Sequence, residues 1–447
     1  MEAWLKQSGA FGVDGIEVTE FPVTGRGVKA LRNFKQGERI LTIPSACLWT
    51  IEGARADPLL GPLLGSAQPP LSVEDTLAVH LLFVKSRTSG YDGFRHHIAA
   101  MPQSYSATIF FTDDELRVCE GSSLYTLTTQ LEQRVQDDYR QLRERLLSQH
   151  RHLFPPDQFR LEDQCHTYDP TSGDVSVLAS KDYKVGDQIF ISYGSVPNNR
   201  LLRLYGFVLP ENPYDSYDLV LQTSPMAPLY EQKERLWALA GLGSTCTISL
   251  TVKVPLPISV LRYLRIQRLD ESNMTDMTLQ LVNGTDGKVS DENETQVLQF
   301  LVDSIDTLLQ SFAIPLEKLE AKLAGGDYLE GSNAWAAAHV SLGEQRILTA
   351  AKKSAGDLLE ATLRPSPATQ CANCGNRSGA LMSCGRCKAV KYCKRECQVA
   401  HFKDHKAASS SESGPDTVSV SVSVSAGPMA RPPPRYSRKI QAFPTLP

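Results

Sequence analysis

Along the first fifty residues, apolar and polar positions alternate in short runs broken by glycine. Gly15-Ile16-Glu17-Val18 leads to Thr24-Gly25-Arg26-Gly27, and Gly37-Glu38 precedes Arg39-Ile40-Leu41-Thr42-Ile43-Pro44. Alternation with β-branched residues predicts half-buried strands, and the glycines predict turns between them. The period then lengthens. Leu127, Leu131, Val135, Tyr139, Leu142 and Leu146 recur at steps of three and four, a helical pattern that stops at Phe154-Pro155-Pro156. Strands return in Val175-Ser176-Val177-Leu178 and, after a turn at Gly186-Asp187, in Gln188-Ile189-Phe190-Ile191-Ser192-Tyr193. From about residue 226 to 363 the pattern is helical. Val297, Leu301, Ile305, Leu308 and Phe312 form one core-facing stripe, and the Ala-rich stretch near Trp335 continues it. Pro365-Ser366-Pro367 reads as a linker. Beyond His405 the chain turns Ser-rich, alternates Val and Ser from Val418 to Ser425, and ends Pro-rich, a composition expected to stay disordered.

A length of 447 residues suggests about three domains, and 41% apolar residues suffice for a core. The net charge of −4 gives no general argument for nucleic acid or membrane partners. The first residues hold no apolar signal core, and no run of about 18 apolar residues occurs. The expectation is an intracellular protein of the nucleus or cytoplasm. Cys47, Cys119, Cys165 and Cys246, scattered singly, suit a reducing compartment. His96-His97 reads as an exposed loop pair, and His166 beside Cys165 has no further ligand nearby in sequence.

The strongest chemical signal lies near the C-terminus: Cys371-x2-Cys374, Cys384-x2-Cys387, Cys393-x3-Cys397 and His401-x3-His405. Six of the ten cysteines fall there, so the clustering is a ligand array rather than background usage. Thiolates in x2 and x3 pairs converge on tetrahedral zinc, and a segment this short has no core of its own, so the metal supplies its folding energy. From Cys371 to Lys406 eight Lys/Arg face two acids, leaving this segment at +6 and the remainder at −10. A basic module of that kind can sit on an acidic partner surface.

Two segments resemble a known family. Thr24-Gly25-Arg26-Gly27-Val28-Lys29-Ala30 with Gly37-Glu38-Arg39-Ile40-Leu41 is similar to the opening of SET-domain protein methyltransferases. Gly186-Asp187-Gln188-Ile189-Phe190-Ile191-Ser192-Tyr193-Gly194 with Asn198-x2-Leu201-Leu202-x2-Tyr205-Gly206-Phe207 is similar to their closing segment. Alone, Gly-Arg-Gly is a common hairpin turn and two tyrosines near a strand end are ordinary amphipathic core; their joint order carries the resemblance. The branch is that of the Rubisco large-subunit methyltransferase, and the Cys/His array resembles a MYND zinc finger, which in other proteins holds proline-rich peptides. The implied fold class is α+β: an incomplete β-rich SET-like core over 1–210, a helical substrate-binding-type domain over 211–364, a MYND module over 371–405 and a disordered tail over 409–447.

The resemblance implies S-adenosylmethionine as methyl donor and a protein side chain, usually lysine, as acceptor. Such an in-line displacement rests on alignment and exclusion of water. It implies that Gly25, Arg26, Gly27 and Asn198 are cofactor-binding, Asn198 chiefly by fixing its loop. It implies that Tyr193 and Tyr205 are the catalytic pair lining the channel. For zinc, it implies one site of Cys371, Cys374, Cys393 and Cys397, and a second of Cys384, Cys387 and His405, where Ser409 stands at the position of a final cysteine and His401 could substitute.

The family also carries an Asn-His motif, and no Asn-His dipeptide occurs in this chain. Phe159-Arg160-Leu161-Glu162-Asp163 resembles the start of the segment leading to that motif. Gln164 is followed directly by Cys165-His166-Thr167-Tyr168-Asp169, which resembles a strand farther downstream, so a cofactor-binding piece is expected to be missing at 164/165. Two readings stand from sequence. One is a protein-lysine methyltransferase with a finger that recruits protein partners. The other is a catalytically inert, zinc-binding interaction scaffold. Neither calls for membrane or direct nucleic-acid binding.

Overall fold

The structure, a computed structural model of the 447-residue chain, describes residues 1–22, 24–87, 90–101, 105–154, 175–275, 278, 288–364, 370–376, 381–384 and 390–402 (the side chains of Asp92 and Val175 excepted). The expected break at 164/165, the linker at 365–367, Cys387, His405 and the tail lie outside these residues. The chain divides into two units, Met1–Leu363 and Arg364–Pro447.

In the first unit, strands β1 (Ile16–Phe21) and β2 (Gly25–Ala30) form an antiparallel hairpin, running from Ile16 opposite Ala30 to Phe21 opposite Gly25. Strand β3 (Arg39–Ile43) pairs with β4 (Val175–Leu178), and β2 takes β5 (Gln188–Ile189) on its free edge. The chain therefore opens two small sheets in its first 43 residues and closes both only after residue 174. Ala30, Phe34, Ile40, Ala179 and Tyr183 pack where they meet.

Two sequence expectations change here. Gly25-Arg26-Gly27 forms the first half of β2 rather than the turn. The strand expected over 188–193 ends at Ile189, because beyond it no described strand offers a ladder partner; Phe190 and Ile191 are 53% and 62% exposed.

Helix α1 (Val73–Lys85), capped by the Ser72 hydroxyl, buries nearly its whole length. Helix α2 (Ser123–Leu142) carries the predicted stripe and runs on into a wider turn over Arg143–Leu147. A short helix, α3 (Asn198–Tyr205), follows the sheets.

The region read as helical contains an unexpected hairpin, β6 (Tyr217–Gln222) with β7 (Thr245–Leu250). Its period-two signal is only six residues long and sits between helical stripes. Around it pack α4 (Tyr230–Leu239), α5 (Ile258–Gln267), α6 (Asp291–Gln310) and α8 (Asn333–Leu363), with α7 (Leu316–Gly325) against α8. The predicted stripe is the seam: Val297, Leu301 and Ile305 are buried with Ile347, Leu348, Ala351 and Ala355. Trp237 and Tyr263 stack at 4.9 Å in the same core. Arg265 and Glu294, both buried, form a bidentate pair with two 2.7 Å bonds.

The second unit has two-residue strands β8 (Met382–Ser383) and β9 (Lys391–Tyr392) and helix α9 (Arg395–Ala400). Its buried described residues are Cys371, Cys384, Tyr392 and Cys397. Cysteines, not aliphatics, form this core, as expected when a metal replaces hydrophobic burial.

Candidate functional site

Helix α3 follows Pro197, packs buried Leu201 and Leu202 inward, and presents Tyr205 at its last turn. The helix ends on Gly206 in the left-handed region, φ +77°. A Cβ there would lie 2.8 Å from the Ser106 carbonyl carbon, so only glycine lets the chain pass. Tyr193 meets Tyr205 with ring centroids 4.5 Å apart and Phe207 at 5.3 Å. Tyr193 remains 42% exposed, so the three rings form an open aromatic corner rather than core. Faces of this kind attract sulfonium and ammonium cations, and a phenol can accept or relay a proton.

The opening segment reaches the same neighbourhood. Val28 and Lys29 pair with Ile189 and Gln188, placing β2 beside the strand that leads to Tyr193. The Thr24 hydroxyl donates to Gln188 Oε1 at 2.7 Å. Gly27 makes room for this contact, since a Cβ would lie 2.5 Å from Gln188 Nε2. Tyr105 stacks on Phe110 with ring centroids 5.7 Å apart. Burial raises its pKa, and the charges of Arg26 and Lys85 act against that. The backbone of Ser106 and Ala107, immediately after it, abuts Gly206. The Ser106–Ala107 backbone thus packs on the residue that ends α3. No motif marked residues 105–107, whose contact with Gly206 comes from long-range packing.

Asn198 is buried with its amide engaged inside the loop. Its Nδ2 donates to the Leu209 carbonyl at 2.8 Å, and its Oδ1 accepts from the Leu209 N–H at 2.9 Å and from Asn212. Its backbone N–H donates to Asp215 at 2.9 Å. These bonds hold together the turn that follows α3.

In the second unit, the Cys371, Cys374, Cys393 and Cys397 sulfurs lie within 4.8 Å of one another. Three of the spacings are 3.5 Å for Cys374–Cys393, 3.7 Å for Cys393–Cys397 and 3.7 Å for Cys397–Cys374. A tetrahedral zinc with Zn–S bonds of about 2.3 Å sets its sulfurs about 3.8 Å apart, so the four residues fit that ion. Cys384 is buried beside them in the same unit, and its N–H donates to the Val390 carbonyl. His401 Nδ1 lies 3.1 Å from the Tyr392 hydroxyl. Cys387 and His405 are outside the described residues.

His96 and His97, expected on a loop, stand on a helix, Asp92–Ala100, and are partly buried. His96 stacks on Trp4, and His97 Nε2 lies 2.7 Å from the Cys47 carbonyl. They belong to an aromatic packing cluster with Trp49, Phe94 and His80. Cys165 and His166 fall outside the described residues. Among the described residues, no helix is long and apolar enough to cross a membrane.

Comparison with known proteins agrees with this layout. Residues 224–348 match the family described as Rubisco LSMT substrate-binding, and residues 371–408 match the MYND finger. The actin-histidine N-methyltransferases of Dasypus novemcinctus and Homo sapiens are each 25% identical over 405 residues. These matches cover 79% of this chain and 68% and 67% of the relatives. The 405 aligned positions exceed 79% of 447 residues, so within the matched span the relatives carry positions that this chain lacks. The SET domain of LSMT bound to lysine and AdoHcy superposes with a TM-score of 0.69 at 18% identity, covering 81% of this chain and 92% of that one. Rubisco LSMT bound to AdoMet gives 0.67 with the same coverage. The fold is SET-like, followed by a substrate-binding segment of the LSMT type and a MYND finger.

Proposed function

We propose that this chain is an S-adenosylmethionine-dependent protein methyltransferase acting on a side-chain nitrogen, with the finger engaging protein partners. The observation that carries the reading is the open corner of Tyr193, Tyr205 and Phe207, beside the strand that pairs with β2. S-adenosylmethionine would supply a methyl group activated on sulfonium sulfur. Gly25, Arg26 and Gly27 would line its approach from β2, and Asn198 would hold the adjoining turn in place. The Tyr193 and Tyr205 faces would orient the acceptor nitrogen, with a phenol hydrogen-bonding the proton it loses. Four cysteines of the finger would hold zinc.

Lysine is the acceptor first expected, while the names of the sequence relatives point to histidine. Incubating the purified full chain with methyl-labelled S-adenosylmethionine and a cell protein extract tests the reading. Label on protein nitrogen, reduced about a hundredfold by Tyr205→Phe, supports it. Mass spectrometry of the labelled peptide assigns lysine or histidine.

The second reading, an inert scaffold, is favoured by the absence of an Asn-His dipeptide and by the positions present only in the relatives. It predicts zinc in the finger and no label on any protein.

A further inference from the structure

Helix α3 presents Tyr205 at one end, and its other end is tied to the helical region through buried polar groups. The Asn199 carboxamide donates to the Ser123 hydroxyl at 3.1 Å. That hydroxyl donates to Glu344 Oε1, and the Ser123 backbone N–H donates to Glu344 Oε2 at 2.7 Å. Glu344 is 2% exposed. Its neighbour Gly343 approaches Asp215 so closely that a Cβ would lie 2.4 Å from Oδ2. Asp215 in turn accepts from the Asn198 N–H.

Three elements far apart in sequence, α2, α3 and α8, thus meet at one carboxyl group. Burying a carboxylate is costly, and an aliphatic side chain would fill the volume without that penalty. What the aliphatic could not do is accept two bonds from Ser123 and so orient its hydroxyl toward Asn199. No cation pairs with Glu344 among the described residues.

We infer that Glu344 is a positioning residue for the aromatic corner: through Ser123 and Asn199 it fixes the helix that presents Tyr205 and links that helix to the substrate-binding segment. This deepens, and rests on, the methyl-transfer reading. Burial raises the Glu344 pKa to about 7, against the bonds from Ser123. Asp215, Tyr217 and Cys119 also face it, and none supplies positive charge. The bonds from Ser123 and Asn199 favour the carboxylate, whereas burial and the charge of Asp215 favour the acid.

Hydrogen exchange of the full chain, read by mass spectrometry, tests the inference on wild type, Glu344→Ala and Glu344→Gln. In Glu344→Ala, amides of residues 198–206 should exchange about tenfold faster while those of α5 and α6 are unchanged. In Glu344→Gln, which keeps one acceptor oxygen and puts a donor in place of the other, exchange there should rise less than in Glu344→Ala. Where methyl transfer is measurable, kcat should fall in Glu344→Ala with KM for S-adenosylmethionine little changed.

Equal exchange in α3 of wild type and Glu344→Ala would overturn the inference, as would a uniform rise across the whole unit. If Glu344→Ala does not fold, Ser123→Ala removes only the linking hydroxyl and is read in the same way. A wild type with a protected α3 that loosens in Glu344→Ala, yet transfers no methyl group, keeps the positioning role and refutes the methyl-transfer reading.

Discussion

Gly206 lies against Ser106 so closely that no side chain fits between them: a Cβ would come within 2.8 Å of the Ser106 carbonyl carbon. With φ at +77°, the position combines strain for any L residue with a backbone clash. Gly206→Ala should therefore destabilise the first unit by about 1–3 kcal/mol, read as a lower denaturation midpoint. The same substitution should shift the Tyr193–Tyr205 contact and depress any methyl transfer further than the stability loss alone would.

The Arg265–Glu294 pair is a buried ion pair of the helical core. Removing one partner strands a desolvated charge, so Glu294→Ala should cost about 3–5 kcal/mol in chemical denaturation. Replacing both with well-packed apolar residues should restore most of that loss. Equal losses in the single and double variants would refute the account.

Ionisation of Glu344 sets a pH dependence of stability. Its folded pKa, about 7, exceeds the ordinary carboxylate value of 4.5, so the folded state binds the proton more tightly. That contribution is fully present below about pH 4.5 and is lost as pH rises through about 7, a change on the order of 3 kcal/mol. The stability difference between wild type and Glu344→Gln should follow that curve, declining toward alkaline pH. A difference that stays flat from pH 5 to 8 would contradict it.

The finger should depend on metal alone. A chelator should make residues 371–402 protease-sensitive while far-UV circular dichroism of the long helices persists, and Cys374→Ser should do the same without chelator. Retained protection after metal removal would contradict the zinc assignment.

Much of this was legible in the sequence. The stripe from Val297 to Ile305 has a period that admits one buried face, and the Cys spacing admits few ligand geometries. The short hairpin β6–β7 was hidden because six alternating residues between helices carry little signal. Tyr105 and Glu344 were invisible for a different reason. Neither sits in a local pattern, and each acquires its surroundings from partners brought near only by folding: Gly206 for the segment at Tyr105, Ser123 and Asn199 for Glu344.

The most direct measurement is calorimetric titration of the purified full chain with S-adenosylmethionine. The account predicts saturable heat of one site per chain at micromolar concentration, weakened severalfold in the double variant Tyr193→Phe, Tyr205→Phe as the phenol hydroxyls are lost. No heat from a folded, zinc-loaded chain would contradict it and leave the scaffold reading in place.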